Sequence, residues 1–184
     1  MRERMDDAKR RMEGAVKNLQ NEFAALRTGR ASTSLLDRIQ VEAYGVSTPL
    51  PQLAKIHVPE ARLITVQPFD KTMIQDIERA IMESDLGLQP GNDGNTIRLP
   101  LPQLTEERRK ELVKVAHRMA EEARVAVRNV RRDVLNEFKR AEKDGDVSKN
   151  DLGRAQDEVQ KMTDAEVKAV DEMLARKEAE IMEV

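Results

Sequence analysis

The chain has 184 residues, of which 36% are charged and only 2% aromatic, and its formal net charge is −2. So few aromatic residues argue against a β-sandwich, and the small net charge with periodic apolar residues argues against a disordered chain. The chain has no cysteine, which excludes disulfides, thiolate nucleophiles and cysteine-ligated metals. We expect a soluble cytoplasmic protein, since the sequence shows no signal peptide and no apolar run long enough to span a membrane.

The first long helix is predicted over residues 5–26. Its apolar side chains recur every three or four residues, which places them on one face of an α-helix. These residues are Met5, Ala8, Met12, Ala15, Leu19, Phe23 and Leu26. Thr28 and Gly29 then interrupt the pattern, so the helix is expected to end before them.

Residues 31–104 have a different character and hold every proline of the chain. Alternating apolar residues predict strands around 39–43, 54–58, 64–66 and 97–101. One helix is predicted from Thr72 to Ser84, and a turn from Asn92 to Asn95. We interpret this segment as a small β/α/β domain inserted into another domain.

Two further long helices follow the insertion. Thr105 is the predicted N-cap of the second, whose apolar stripe runs from Leu112 to Ala141 and gives a helix roughly 60 Å long. Ser148 and Asp151 form a capping-box pattern for the third. Each helix has one apolar stripe, so the three are expected to share a core. The predicted domains are a discontinuous three-helix bundle (1–30 and 105–184) and the inserted domain (31–104), with hinges near 27–31 and 102–105.

Charge is unevenly distributed over the predicted helices. Residues 146–184 contain 6 basic and 11 acidic residues, whereas 1–30 and 105–145 together contain 20 basic and 14 acidic residues. Within the second helix, four arginines fall in an arc of roughly 100° when successive residues are rotated by 100°. These are Arg124, Arg128, Arg131 and Arg132. The helix is therefore predicted to carry one basic face.

The basic face has two interpretations. We expect the four guanidinium groups to be unpaired within the helix, and Arg binds phosphate in a bidentate geometry. Val125 and Val127 lie beside the arginines and offer no ring for base stacking, so recognition of RNA backbone and shape is favoured over single-strand stacking. Alternatively, the arginines form an ordinary solvated face or pair with the acidic third helix.

Other chemistry finds little support in the sequence. The two histidines, His57 and His117, lie in different predicted domains without neighbouring ligands, so no metal site is predicted. No phosphate-binding or dinucleotide-binding glycine motif occurs. No catalytic residue and no cofactor are predicted, and an enzyme would require an acid/base pair that the sequence does not reveal.

Four segments together resemble one known family. They are Arg27–Ser32, Ser84–Leu88, Leu104–Leu112 and Ala123–Asp133. Their order and spacing are similar to those of the bacterial ribosome recycling factors, and the resemblance extends over essentially the whole chain. It implies an α+β protein, L-shaped and close to tRNA in size, with a three-helix bundle and a mobile β/α/β domain.

The resemblance also implies a function. Factors of this family act after termination: they bind the large ribosomal subunit, and elongation factor G with GTP then splits the subunits. Carried over by position, Arg128, Arg131 and Arg132 would contact ribosomal RNA, with Arg124 extending the face. Arg27 and Arg30 would contact RNA at the tip of the bundle. The residues implied at the hinge are Gly29, Ala31 and Leu104, and a monomer without a membrane partner is expected.

A second class of function remains open on the residues alone. The chain could be a helical adaptor whose bundle binds protein helices through apolar contacts. RNA binding should weaken steeply with salt because counterions are released from phosphates, whereas apolar docking should not.

Overall fold

A computed structural model describes residues 1–26 and 28–183 of the chain. It divides into two compact units. The helical unit comprises Met1–Thr28 and Thr105–Val184, and the inserted unit comprises Gly29–Leu104. Each unit has a hydrophobic core of its own. The predicted α+β fold, with a small β domain spliced into a discontinuous set of three helices, is confirmed.

The helical unit contains three long helices. They are α1 (Arg2–Ala25), α3 (Glu106–Lys143) and α4 (Lys149–Met182). Both predicted N-caps are confirmed: the Thr105 side chain accepts a hydrogen bond from the Arg108 backbone N–H at 3.1 Å, and the Ser148 side chain accepts one from Asp151 at 3.1 Å. At 1.5 Å per residue, α3 is about 57 Å long, close to the predicted length.

The three helices bury their apolar stripes against one another. Residues from all three form one cluster: Met5, Ala8, Met12, Val127, Val130, Val134, Phe138, Ala155 and Val159. Phe138 is fully buried, and the Arg4 guanidinium carbon lies 6.0 Å from the centroid of its ring. Since each helix exposes its other faces to solvent, the outer surface of α3 is available for binding.

The apolar stripe of α4 is completed by two polar residues. Thr163 is buried and donates its hydroxyl to the Val159 carbonyl at 2.8 Å. Lys177 is also buried, and its Nζ lies 3.4 Å from Glu180, which in turn accepts a hydrogen bond from the Thr28 hydroxyl at 3.3 Å. Two polar side chains therefore take core positions in this helix, with their polar groups satisfied.

The inserted unit contains a hairpin, a four-stranded antiparallel sheet and one helix. The hairpin consists of β1 (Gln40–Ala43) and β2 (Val46–Pro49). The sheet, in the order β3-β4-β6-β5, consists of β3 (Ala54–Glu60), β4 (Leu63–Pro68), β6 (Ile97–Pro100) and β5 (Gly91–Asn92). The helix α2 covers Ile74–Glu83. The four predicted strands and the predicted helix are confirmed, and the structure adds two strands, β2 and β5, that the pattern does not predict.

The missed strands lack the pattern that identifies a strand. No residue of β2 is fully buried, and its sequence Val-Ser-Thr-Pro shows no apolar alternation. Strand β5 has only two residues. The second of them, Asn92, belongs to the predicted turn but pairs with Ile97 of β6. The remainder of that turn is confirmed, since the Asp93 side chain accepts hydrogen bonds from the backbone of Asn95 and Thr96 at 3.0 and 2.9 Å.

Candidate nucleic-acid interface

The arginines predicted at the basic face all lie on α3, but their exposure differs. Arg124 has a side chain that is only 17% exposed, whereas the side chains of Arg128 and Arg132 are 47% and 68% exposed. Arg131 is partly exposed. The buried stripe of α3, which includes Val130 and Val134, faces the other helices. Exposure of these side chains therefore does not follow their order along α3, and Arg128 and Arg132 are the most accessible of the four.

Arg124 is held by two carboxylates. Its Nη2 lies 2.6 Å from Asp171 Oδ1 on α4, and its Nη1 lies 3.0 Å from Glu121 Oε2 on its own helix. Burial alone would lower the pKa of Arg124, but the hydrogen bonds to Asp171 and Glu121 outweigh burial and raise it. The expectation that this guanidinium is unpaired within the helix is therefore wrong, because Glu121 lies one turn before it.

Arg128 shares the same glutamate. Its Nη1 lies 3.4 Å from Glu121 Oε1, so one carboxylate contacts two arginines. The expectation of an unpaired guanidinium is therefore also wrong for Arg128. The i−3 spacing between Glu121 and Arg124 is visible in the sequence, whereas the contribution of Asp171 depends on how α4 packs beside α3. The alternative in which arginines pair with the acidic third helix is confirmed for Arg124.

The other two arginines have weaker partners. Arg131 donates a hydrogen bond from Nη1 to the neutral side chain of Gln160 at 3.4 Å. Arg132 lies 4.0 Å from Asp133, whose carboxylate is contacted more closely, at 3.2 Å, by Arg11 on α1. Exposed pairs at such distances contribute little free energy. Arg131 and Arg132 can therefore exchange these partners for phosphate at small cost.

The two valines beside the arginines have different environments. Val127 is fully buried in the core, so its predicted position at the basic face is wrong. Val125 is 45% exposed, as expected of a residue beside the face. Val127 and Val130 are both buried, whereas Ala126 is only partly buried. The basic face carries no aromatic ring, in agreement with its sequence.

The predicted hinge residues lie at the two ends of the inserted unit. Gly29 has a positive φ of 76°, and a Cβ added to it would lie 2.9 Å from Leu104 Cγ. Gly29 and Leu104 are therefore in close contact at the point where the chain enters and leaves this unit. Ala31 donates its backbone N–H to the Ala61 carbonyl at 2.7 Å, which anchors it to the β3–β4 turn. Arg30 is exposed, and Arg27 lies outside the described residues.

Metal-binding chemistry finds no support in the structure. The residues that the structure describes contain no group of three or more His, Asp or Glu side chains suited to a metal ion. His117 lies 3.2 Å from Glu178 on α4, and His57 is exposed on β3. Within 1–26 and 28–183, no helix is both long and apolar enough to cross a bilayer.

Comparison with known proteins defines the class of the protein. The family described as ribosome recycling factor matches residues 19–182. A ribosome-recycling factor of Rubrobacter xylanophilus is 54% identical over 98% of this chain and 97% of its own length. One from Halalkalibacterium halodurans is 54% identical over 100% and 99%, and one from a Methylobacterium species is 57% identical over 97% and 95%.

Solved structures agree with the sequence relatives. The solution structure of a ribosome recycling factor is 43% identical, covers 100% of this chain and 97% of its own, and superposes with a TM-score of 0.73. A structure of the T. thermophilus ribosome recycling factor and E. coli elongation factor G, bound to the E. coli post-termination complex, matches at 40% identity over 99% and 98%, with a TM-score of 0.62. The fold and the relatives are those of a translation factor. The chain belongs to the ribosome recycling factor family.

Proposed function

We propose that this chain binds the post-termination ribosome on its large subunit and, with elongation factor G and GTP, splits the subunits for a new round of translation. Family membership supports the proposal, as does the similar factor found with elongation factor G on a post-termination complex. The chain acts as a cytoplasmic monomer and hydrolyses nothing itself; the GTPase partner supplies the energy.

The observation that carries the proposal is the row of arginines on α3. Arg128 and Arg132 are exposed, Arg131 is partly exposed, and all three are only weakly paired. Guanidinium groups bind phosphate through charge-assisted hydrogen bonds, and the absence of aromatic rings in this row suits structured RNA better than unstacked bases. In the proposal these three arginines contact ribosomal RNA, whereas Arg124 serves mainly to hold α3 against α4. Arg27 and Arg30 supply further RNA contacts.

The proposal also includes a hinge at the two connections between the units, residues 27–31 and 102–105. Gly29 supplies a backbone conformation that other residues adopt only with strain, and Leu104 packs directly on it. Since Ala31 is anchored to the β3–β4 turn, the bending is assigned to the residues before it. Displacement of the inserted unit by the GTPase partner would then be converted into disruption of intersubunit contacts.

The test is large-subunit binding by the double variant Arg131→Ala with Arg132→Ala across a salt series. Each lost phosphate contact should reduce the slope of log K against log salt by about one unit, so the double variant should lose about two units. The matched control is Arg108→Ala with Arg140→Ala. Both residues are exposed on α3, and at 100° per residue they lie on the side away from the basic face.

The outcomes separate the candidate functions. A reduced slope in the first variant but not in the control, with helicity intact by circular dichroism, would support RNA binding through α3. Equal slopes in both variants would contradict the assignment of the RNA site. Binding that does not depend on salt in the unaltered protein would instead favour apolar docking on a partner helix.

A further inference from the structure

One acidic residue lies inside the basic face. At 100° per residue, Glu121 falls between Arg128 and Arg132 in angle around α3. Its two carboxylate oxygens contact Arg124 Nη1 at 3.0 Å and Arg128 Nη1 at 3.4 Å. Glu121 is therefore a carboxylate placed among guanidinium groups that are suited to phosphate.

The two arginines depend on Glu121 to different extents. Arg124 keeps Asp171 as a second partner, at 2.8 Å from Nε and 2.6 Å from Nη2, and is largely buried. Arg128 is 47% exposed, and among the described residues it has no second carboxylate within ion-pair distance. Loss of the Glu121 charge would therefore release Arg128 while Arg124 stays attached to α4.

Carboxylate and phosphate compete for the same guanidinium N–H groups. For Arg128 to contact an RNA phosphate fully, it must leave Glu121, so phosphate binding must overcome the loss of this ion pair. The competition therefore weakens phosphate binding at Arg128. A factor that must dissociate from the ribosome in every round gains faster release from such an internal competitor.

We propose that Glu121 is an intramolecular competitor of ribosomal RNA phosphate for Arg128 and thereby limits the affinity of the basic face for the large subunit. This inference rests on the proposed function. It assigns to Glu121 an affinity-setting role, exerted through its ion pair with Arg128 rather than through direct repulsion of RNA phosphate.

The test compares large-subunit binding by the full chain and by Glu121→Gln, which keeps the shape of the side chain and removes its charge. Removal of one exposed ion pair should lower the Kd by about two- to five-fold at low salt. The gain should shrink as salt rises, because exposed charges are screened. Glu122→Gln is the matched control: Glu122 is the neighbouring exposed residue, carries the same charge, and points away from the arginines.

A double-mutant cycle with Arg128→Ala tests the route of the effect. If Glu121 acts through Arg128, the gain from Glu121→Gln should disappear in the Arg128→Ala background. The inference is overturned if Glu121→Gln binds no more tightly than Glu122→Gln, or if its gain persists without Arg128. The proposed RNA site on α3 fails separately, through an unchanged salt slope in the Arg131→Ala, Arg132→Ala variant, and the proposed function fails if binding by the unaltered protein does not depend on salt.

Discussion

Arg124 and Arg132 lie eight residues apart on the same helix, but their replacement by alanine should affect different properties: stability for Arg124 and RNA binding for Arg132. Arg124→Ala removes contacts at 2.6 Å to Asp171 and 3.0 Å to Glu121 from a side chain that is 17% exposed. Hydrogen bonds to charged groups contribute roughly 1.5–3 kcal/mol, but both carboxylates are more than half exposed, which reduces the value. We expect the free energy of unfolding to fall by about 1–2 kcal/mol.

Arg132→Ala should leave stability nearly unchanged. Its side chain is 68% exposed, and its nearest carboxylate is 4.0 Å away, so a change within about 0.5 kcal/mol is expected. Its effect should appear in binding instead, as a loss of about one unit from the salt slope for the large subunit. Arg124→Ala should leave that slope unchanged, because its guanidinium is already occupied by protein carboxylates.

Thermal unfolding and subunit binding, measured on both variants, distinguish these effects. For a chain of this size, Arg124→Ala should lower the Tm by about 3–6 °C, whereas Arg132→Ala should not change it measurably. The assignment of Arg124 to a structural role would be refuted by an unchanged Tm together with a salt slope reduced as much as in Arg132→Ala. Such a result would mean that RNA displaces Asp171 and Glu121 at little cost.

Two further predictions concern the inserted unit. Gly29→Ala should destabilise it by about 1–2 kcal/mol in urea unfolding, because a Cβ at a φ of 76° is strained and would meet Leu104 Cγ at 2.9 Å. The control Gly14→Ala, in open space on α1, should be neutral or slightly stabilising. Equal effects of the two substitutions would contradict the steric explanation. Tyr44 donates a hydrogen bond to Asp70, which raises the pKa of Tyr44 above its ordinary value of 10.0. The stability from this contact should be present below pH 10 and be lost as pH rises through the raised pKa. Since Tyr44 is the only tyrosine, spectrophotometric titration reports the ionisation of this residue alone. Asp70→Asn should return the midpoint of that titration towards 10. An unchanged midpoint would exclude Asp70 as the cause of the raised pKa.

Local pattern was sufficient for much of the fold. The three long helices, their caps at Thr105 and Ser148, and four of the six strands of the inserted unit follow from the spacing of apolar and capping residues, which acts over a few residues of chain. Strand β2 could not be predicted in this way, since it has no buried alternating face and is held by pairing with β1. The sequence also determined that one side of α3 is rich in arginine.

Only the tertiary structure decided what each arginine contacts. The rotation of α3 buries Val127, and the packing of α4 brings Asp171 to Arg124 across 47 residues of sequence. The same packing places Thr163 and Lys177 in core positions that an apolar stripe would not identify. Periodicity fixes the angle of a side chain around its own helix, but partners on a neighbouring helix depend on how the two helices are rotated against each other, which is set by the whole core.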